Sequence, residues 1–427
     1  MGYTLIIAEK PNAAKKIAEA LADKKPKVMT SDGVKYYEFT INGKKYVCVP
    51  AVGHLFVLDS IKEGKKGWYY PVFSYYWVPT YTRKSTAWTK KYFENIKRLA
   101  KNAKEFIDAA DVDTEGEVLL YNILRFICGV ENAKRMKFST LTKEELVNAF
   151  KNLSPSIMYS MLEAGLTRHE LDWLWGINAT RALTLALKNY GKRVFTILST
   201  GRVQGPTLKI LLEREREIRK FVPTPYWQIE LKCKVDSLEL IATYEKDRIW
   251  KKKDANKIVK ECKGKNGVVI SIRKREYKQK PPTPFNTTDL QTEAYNQFGF
   301  SPTQTLSLAE NLYQQGFISY PRSGSQKLPP TINYKKIIQS IAKIPTYSKL
   351  CQKLLKQPKL VPNEGPKTDP AHPAVYATQE IPDLKKLSPR ERKIYDLIVR
   401  RTLATFAPPA KRESVKVTIS IGKHKFF

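Results

Sequence analysis

The stretch "EFIDAADVDTEGE", residues 105–117, decides the fold and contains a cluster of acids. Phe106 to Ala110 predicts a short buried strand. Val118 to Ile127 predicts a helix, because apolar residues recur around most of its circumference. Between and around them lie six acidic side chains and no basic one. The acids are therefore expected at a strand-to-helix turn.

Three of these carboxylates, Asp111, Asp113 and Glu115, are spaced i, i+2, i+4. On an extended segment this spacing predicts that all three point to one side. Converging carboxylates repel unless a cation joins them, and an oxygen-only set on a partly open turn is typical of Mg²⁺. The alternative is that the acids only favour a helix start, where negative charge is stabilised. This segment by itself gives the two interpretations about equal weight.

The N-terminal segment "YTLIIAEKPNAAKKIAEAL" supplies a further carboxylate. Thr4 to Ala8 predicts a strand with Glu9 at its C-terminal end. Asn12 is the expected N-cap of the helix that follows. A strand, loop and helix pattern is also expected near Val47 and again near Phe106, which predicts a parallel sheet with helices packed on it.

Ligands of parallel sheets bind at the C-terminal ends of the strands. Glu9, Lys10 and the acidic turn would all lie at that edge. A carboxylate and an ammonium group flanking a metal triad predict a phosphoryl-transfer site.

The bulk composition predicts a polyanionic partner. Lys and Arg total 75 against 41 Asp and Glu, a net charge of +34, which favours nucleic acid. No run of 18 apolar residues could span a bilayer, and the N-terminus does not resemble a signal peptide. Five widely spaced cysteines without C-x-x-C predict no disulfide framework, no zinc finger and a reducing compartment. A cytoplasmic, nucleoid-associated protein is expected, and the missing G-x-x-x-x-G-K-[ST] motif disfavours a P-loop NTPase.

The motif "GFISYPRSGS", residues 316–325, contains the candidate nucleophile. Pro321 disfavours helical backbone at Tyr320, so the tyrosine is held at a turn. A phenol is a weak nucleophile at neutral pH and needs a cation, and Arg322 can supply a bidentate phosphate contact. With 23 tyrosines in the chain, an ordinary packed aromatic is the competing interpretation.

Several motifs resemble a known family. "IIAEKP", "AVGHLF" and "DVDTEGE" resemble the Toprim module. "LSTGRVQGPTL", "PFNTTDLQTEA", "GFISYPRSGS" and "KTDPAHPAVYAT" are similar, in the same order, to motifs of type IA DNA topoisomerases. "RHELDWLWGINATRALT" and the Asp-Pro-Ala-His-Pro-Ala form most resemble archaeal DNA topoisomerase III. The resemblance covers nearly the whole chain.

The sequence also departs from the family pattern. Val112 and Thr114 stand where the family usually has Pro and Arg, so a basic group beside the acids is lacking. Ser323-Gly324-Ser325 replaces Thr-Asp-Ser, so one carboxylate near the tyrosine is lacking. Family members continue beyond the position of Phe427, so a fragment is expected in which cleavage survives better than strand passage.

The resemblance implies a multidomain α/β plus α and β architecture, with helical domains and a β-rich arch forming a toroidal gate. The implied domains are a Toprim domain (1–155), the first part of a helical DNA-binding domain (156–222), the first part of the arch (223–280), a helical domain carrying Tyr320 (281–410) and a return into the arch (411–427).

The resemblance also implies a mechanism. Tyr320 attacks a phosphodiester of single-stranded DNA to form a 5′-phosphotyrosyl bond, with no need for ATP. Glu9 protonates the leaving oxygen, while Lys10 and Arg322 hold the phosphate. The implied Mg²⁺ ligands are Glu9, Asp111, Asp113 and Glu115.

Residues that match the family's DNA-binding motifs are His54, Arg168, Asp172, Arg181, Ser199, Gly201, Arg202, Val203, Gln204 and His372. Asp172 could instead simply pair with Arg168, four residues away on a predicted helix. The implied partner is single-stranded or negatively supercoiled DNA, bound by a monomer without a membrane, and helicases are candidate protein partners.

Two other functions stay open on the sequence. A Toprim nuclease or primase-like enzyme would use the same acids without Tyr320. A non-catalytic single-strand binding protein would need only the charge and the aromatic residues.

Overall fold

The computed structural model describes residues 2–61, 68–190, 196–235 and 237–427. The chain divides into two compact units, residues 1–205 with 282–407 and residues 206–281 with 408–427. No helix in these described ranges is long and apolar enough to cross a membrane.

Strands of the first unit pair into a mixed sheet and a separate hairpin. The strands are β1 (Tyr3–Ala8), β2 (Lys27–Ser31), β3 (Val34–Ile41), β4 (Lys44–Pro50), β5 (Phe56–Ser60), β6 (Tyr75–Pro79), β7 (Ala103–Ala109) and β8 (Lys134–Arg135). Within the described residues, the sheet has the order β2-β3-β4-β1-β7-β8, and β5 pairs with β6. Both neighbours of β1 run parallel to it, and so does β8 beside β7, whereas β2 and β3 are antiparallel additions.

The parallel core of this sheet explains where the candidate site lies. β1 lies between β4 and β7. Its residues Leu5 to Ala8 are fully buried because both faces of the sheet are covered. Its register places Ile6 opposite Cys48 of β4 and Ile107 of β7. The C-terminal ends of the three strands therefore meet at one edge.

The helices of the first unit cover the sheet and form a second helical layer. They are α1 (Pro11–Leu21), α2 (Lys90–Ala100), α3 (Thr114–Ile123), α4 (Lys143–Lys151), α5 (Tyr159–Asn189), α8 (Thr287–Phe298), α9 (Pro302–Gln314), α10 (Tyr334–Ile341), α11 (Pro345–Leu355) and α12 (Pro389–Ala404). Helix α6 (Gln204–Lys220) begins at the end of the first unit and continues in the second. The second unit also contains α7 (Lys252–Cys262).

One buried core joins the sheet to the helices near Tyr320. Ile6 and Ile17, from β1 and α1, belong to the same apolar cluster as Tyr313, Ile318 and Ile398. The acidic edge and the tyrosine motif are thus packed within one unit, although they are far apart in sequence.

The second unit has its own core and its own strands. These are β9 (Glu230–Val235), β10 (Leu238–Thr243), β11 (Val268–Gln279), β12 (Ala410–Ile421) and β13 (His424–Phe426). β11 pairs antiparallel with β12 along most of its length, so residues 408–427 complete a sheet that β11 begins. Ile249, Ile421 and Phe426 are buried in its core.

Three local predictions were wrong. The helix after β7 begins at Thr114 and not at Val118, because Asp113 caps it. The N-cap of α1 is Lys10, because Pro11, which has no N–H to donate, takes the first helical position instead of Asn12. The strand near Val47 is followed by the β5–β6 hairpin and not by a helix, since these two short strands pair with each other.

Candidate active site

The acidic turn after β7 is shaped by a helix cap and a close backbone approach. The Asp113 carboxylate accepts a hydrogen bond from the Gly116 backbone N–H at 2.7 Å, which starts α3. A Cβ at Gly116 would lie 2.2 Å from the Asp111 carbonyl oxygen, so the turn requires glycine there. Glu115 lies in the first helical turn. The expectation that Asp111, Asp113 and Glu115 share one side of an extended segment is therefore wrong.

A buried arginine, Arg135, holds this turn through ion pairs and hydrogen bonds. Arg135 is fully buried and pairs with Glu117 at 2.6 Å and with Asp108 at 3.2 Å. Its guanidinium also donates to the carbonyl oxygens of Ala110 at 2.7 Å and Asp111 at 3.0 Å. The acidic turn is thus held by an ion-paired group that sequence reasoning missed.

Lys10 joins three carboxylates at the end of β1. Its Nζ lies 3.1 Å from Asp111 Oδ2 and 3.3 Å from Glu9 Oε1, and it is also ion-paired with Glu310 of α9. Burial, reinforced by the charge of Asp111, raises the pKa of Glu9 to about 7. Glu9 can therefore both hold and release a proton near neutral pH.

Tyr320 meets the acidic turn directly. Its side chain is buried, with 2% of the residue exposed, and its hydroxyl donates to Asp113 Oδ2 at 2.5 Å. Its backbone N–H donates to the Ser139 carbonyl at 2.8 Å, which fixes the turn. Burial, together with the charges of Asp111 and Asp113, raises the pKa of the phenol above its usual value. In this arrangement the phenol is protonated.

Two further side chains frame the tyrosine. Tyr313 donates to Asp111 Oδ1 at 2.8 Å, and its ring packs edge-on against that of Tyr320. The His372 ring lies 4.5 Å from the Tyr320 ring, and its Nδ1 is 2.9 Å from Ser139 Oγ. Burial lowers the pKa of His372, and its Nε2 is buried without a hydrogen-bond partner among the described residues.

Comparison with known protein families assigns the chain to one of them. Residues 156–427 match the family described as DNA topoisomerase, and residues 4–141 match the Toprim domain. The first match covers more than half of the chain. The chain belongs to the type IA DNA topoisomerase family. The Toprim module and the multidomain α/β architecture expected from the sequence are confirmed.

Individual relatives agree with this assignment. DNA topoisomerase 1 of Pyrococcus horikoshii is 51% identical over 99% of this chain and 62% of its own length. DNA topoisomerase 1 of Methanocaldococcus jannaschii is 47% identical over 99% of this chain and 54% of its own length. DNA topoisomerase 3 of Staphylococcus haemolyticus is 32% identical over 99% of this chain and 58% of its own length. The chain thus spans less than two thirds of each of these curated relatives.

A solved structure, full-length topoisomerase I from Thermotoga maritima, shares the fold. It aligns with a TM-score of 0.68 at 24% identity, over 99% of this chain and 64% of that one.

Two other residues of the tyrosine motif, Arg322 and Gly324, form no hydrogen bond with the Tyr320 hydroxyl in the part of the chain that the structure describes. The Arg322 side chain is exposed and makes no hydrogen bond or ion pair with another described residue. The Gly324 N–H donates to Asp369 Oδ2 at 2.9 Å, and Asp369 Oδ1 accepts from the His372 N–H at 3.1 Å. A carboxylate from the histidine motif therefore lies beside the position where the family's usual acid is lacking.

Glu115 points to a different set of partners from Asp111 and Asp113. Its Oε2 lies 3.0 Å from His54 Nε2 and 3.1 Å from His169 Nε2, and its Oε1 lies 3.0 Å from Arg168. Hydrogen bonds from His169 and His54 hold the pKa of Glu115 well below its usual range.

The remaining topoisomerase motif residues line α5 and the segment after it. Asp172 forms a two-point ion pair with Arg202, whose Nη2 lies 3.2 Å from Oδ2. The expected pair with Arg168 is present but longer, at 3.7 Å. Arg181 donates to the Tyr69 carbonyl at 2.9 Å.

Two threonine hydroxyls of α5 hold residues 198–200 against this helix. Thr180 Oγ1 both donates to the Thr200 carbonyl and accepts from its N–H, each at 3.1 Å, and Thr184 Oγ1 accepts from the Leu198 N–H. These hydrogen bonds help to position the motif residues Ser199, Gly201, Arg202, Val203 and Gln204.

The structure brings Glu9, Lys10, Asp111, Asp113 and Tyr320 together, with His372 against the tyrosine ring. Arg322 is exposed, and Glu115 contacts His54, His169 and Arg168 instead. Sequence reasoning missed Arg135, Tyr313, Glu310, Ser139 and His169. One signal could have pointed to Arg135: acids that are buried beside the turn need a buried cation as partner.

Proposed function

We propose that this chain carries the cleavage and rejoining centre of a type IA DNA topoisomerase. It cleaves one DNA strand transiently and without ATP through a 5′-phosphotyrosyl bond on Tyr320. Strand passage through the break then relaxes negative supercoils or decatenates DNA. One observation supports this function above the others: the buried Tyr320 hydroxyl lies 2.5 Å from Asp113, inside an acidic site at the ends of parallel strands.

The chemical step moves one phosphoryl group and two protons. The Tyr320 oxygen bonds to phosphorus, the bond from phosphorus to the 3′ oxygen breaks, and the phenol proton passes to Asp113, its present acceptor. Glu9 protonates the departing 3′ oxygen and recovers the proton on rejoining. Its pKa of about 7 suits both directions.

The cations that hold the scissile phosphate are Lys10 and Arg322. Lys10 already lies among Glu9, Asp111 and Glu310, next to the Tyr320 site. Arg322 is exposed and can turn toward an incoming phosphate.

The acidic residues fit a hard divalent cation, and we assign Mg²⁺. Asp111 and Asp113 offer oxygen ligands only. Burial, and after it the charge of Asp111, raises the pKa of Glu9 even though Lys10 opposes the shift. Glu9, Asp111, Asp113 and Glu115 would hold the ion, with Glu115 leaving its histidine partners to do so. Bound Mg²⁺ would neutralise the phosphate and align the DNA ends for rejoining.

The substrate is DNA, chiefly single-stranded or negatively supercoiled. The net charge of +34 supports backbone contact. We assign the motif residues on α5 and after it, with His54 and His372, to contacts with the DNA strand. The five domains implied by the sequence would arrange these contacts. We infer a monomer, with helicases as candidate partners.

Covalent trapping tests this function. The chain is mixed with end-labelled single-stranded DNA and Mg²⁺ and quenched with detergent. Tyr320→Phe is compared with Tyr395→Phe, a matched control because the Tyr395 hydroxyl is also buried but has no hydrogen-bond partner among the described residues. A 5′-phosphate adduct in the wild type and in Tyr395→Phe, lost in Tyr320→Phe, is expected.

The other outcomes of trapping oppose the proposal. Cleaved ends without an adduct, unchanged in Tyr320→Phe, would indicate a Toprim nuclease. Binding without cleavage by any variant would indicate a single-strand binding protein.

A further inference from the structure

We propose that His54, Glu115 and His169 form a binding site for one Zn²⁺-type transition metal ion, distinct from the acidic site of Asp111 and Asp113. One ligand atom from each of the three lies within 4.8 Å of the other two. Three separate elements contribute them: the loop after β4, the first turn of α3, and α5.

The separations suit a tetrahedral ion. Metal–ligand bonds of roughly 2.0–2.1 Å hold neighbouring ligand atoms about 3.3 Å apart in a tetrahedron. The two imidazole Nε2 atoms lie 3.0 and 3.1 Å from the same oxygen, Glu115 Oε2. The two Nε2 atoms lie within 4.8 Å of each other, so an ion in place of the N–H protons would draw the imidazoles together to about 3.3 Å.

The donor set selects the kind of ion. Two imidazoles and one carboxylate form the open three-ligand set typical of Zn²⁺, whereas Mg²⁺ prefers oxygen ligands and retains its waters. Arg168 is ion-paired with Glu115 Oε1 at 3.0 Å, whereas both imidazoles face Oε2. The three side chains are 28%, 30% and 28% exposed, so an ion can enter and a water can complete the tetrahedron.

An ion at this site would affect the neighbouring centre. It would fix α5 to the strand edge and keep Glu115 turned away from Asp111 and Asp113. On the proposed function, which this consequence assumes, Zn²⁺ would lower the yield of the DNA adduct in the presence of Mg²⁺. The binding itself requires no DNA and no activity.

Co²⁺ titration of the whole chain, without DNA and in excess Mg²⁺, tests the site. We expect one Co²⁺ with a tetrahedral d–d spectrum, without thiolate charge-transfer bands, and displaced by Zn²⁺. His169→Ala and His54→Ala should each weaken Co²⁺ binding by at least about 10- to 100-fold, since loss of a ligand should cost no less than loss of an outer-shell partner.

His424→Gln is the matched control, because His424 Nε2 also contacts a glutamate, Glu261, at 2.7 Å. It should leave Co²⁺ binding unchanged. Equal binding by the wild type and His169→Ala, or an octahedral spectrum in the wild type, would overturn the proposal and leave both histidines as residues that orient Glu115. Because the readout is spectroscopic, failure of the trapping experiment would not alter it.

Discussion

Burial has opposite consequences for two side chains of the acidic site. Desolvation and the nearby carboxylates raise the pKa of both Glu9 and Tyr320. For Glu9 this provides a proton donor near neutral pH. For Tyr320 it stabilises the neutral phenol, which donates to Asp113 and is a poor nucleophile. On the proposed function, Glu9 is therefore able to donate a proton near neutral pH, whereas Tyr320 stays a neutral phenol until a cation approaches it.

The pKa of Glu9 predicts the pH dependence of cleavage. On the proposed function the protonated carboxyl is the proton donor, and it is lost as the pH rises through about 7 instead of through its ordinary value near 4.5. In EDTA, the rate of adduct formation on a single-stranded oligonucleotide should therefore be flat below pH 6 and fall about tenfold per unit above pH 8. Quenched time courses across this range measure it.

Glu9→Gln should remove this pH dependence and slow cleavage by about 10²- to 10⁴-fold at pH 7. Glu19→Gln, at an exposed glutamate on α1, is the control and should match the wild type. A wild-type profile retained by Glu9→Gln would show that another group is the acid.

At the scale of elements, the acidic turn depends on the buried arginine of β8. Arg135 neutralises Asp108 and Glu117 and also binds the carbonyl of Asp111, so it fixes the backbone of a candidate metal ligand. Burial raises the pKa of Asp108 to about 7 against the opposing charge of Arg135. Removal of Arg135 would therefore leave buried carboxylates below the turn without a counter-ion, which is strongly destabilising.

Arg135→Met should destabilise the first unit by about 3–5 kcal/mol, because two buried acids lose their counter-ion. Lys134→Met, at the adjacent residue of β8, should cost about 0–1 kcal/mol, since its pair with Glu105 is exposed. Urea unfolding monitored by circular dichroism compares the two. Equal losses would mean that Arg135 is not the support of the turn.

The ion pair between α5 and the segment after it is easily opened. Arg202 and Asp172 are 52% and 37% exposed, so solvent screens their charges and the pair is weak. A DNA phosphate can therefore compete with Asp172 for the guanidinium at little cost.

Arg202→Ala should weaken single-stranded DNA binding and reduce the slope of log K against log salt by about 0.7, one phosphate contact on a single strand. Fluorescence anisotropy at several salt concentrations measures the slope. Arg400→Ala is closely matched, since Arg400 pairs with Asp396 at 52% and 36% exposure. A slope lowered equally by both substitutions would reflect net charge alone and would argue against a contact at Arg202.

At the scale of the whole molecule, the sequence predicted local features better than long-range partners. The strand before Glu9 and the turn at Tyr320 follow from short-range patterns, and both could be located in advance. Glu310 and Tyr313 could not, because their partners Lys10 and Asp111 lie 300 and 202 residues away. Helical periodicity marks Tyr313 only as a core residue. Arg135 is one of 75 basic residues and lies in a strand too short to show a pattern.

These long-range contacts imply that the first unit must open for DNA to react. Lys10 to Glu310, Asp111 to Tyr313 and Asp113 to Tyr320 all join the strand edge to α9 or to the turn after it. Tyr320 is only 2% exposed between them. We therefore expect the two sides to separate before a DNA phosphate reaches the phenol.

A cross-link across this boundary should therefore block the reaction. Asn12 on α1 is exposed and Gln314 on α9 is partly exposed, and their side-chain amides lie 3.4 Å apart. Asn12→Cys with Gln314→Cys, joined by a short cleavable bis-maleimide, should lose adduct formation on a short oligonucleotide and regain it when the linker is cut. Each single variant, treated with the same reagent, keeps the native cysteines and should react like the wild type. An undiminished adduct in the cross-linked protein would show that DNA enters without separation, and the buried phenol would then have to reach its phosphate by a local movement of the turn at Tyr320.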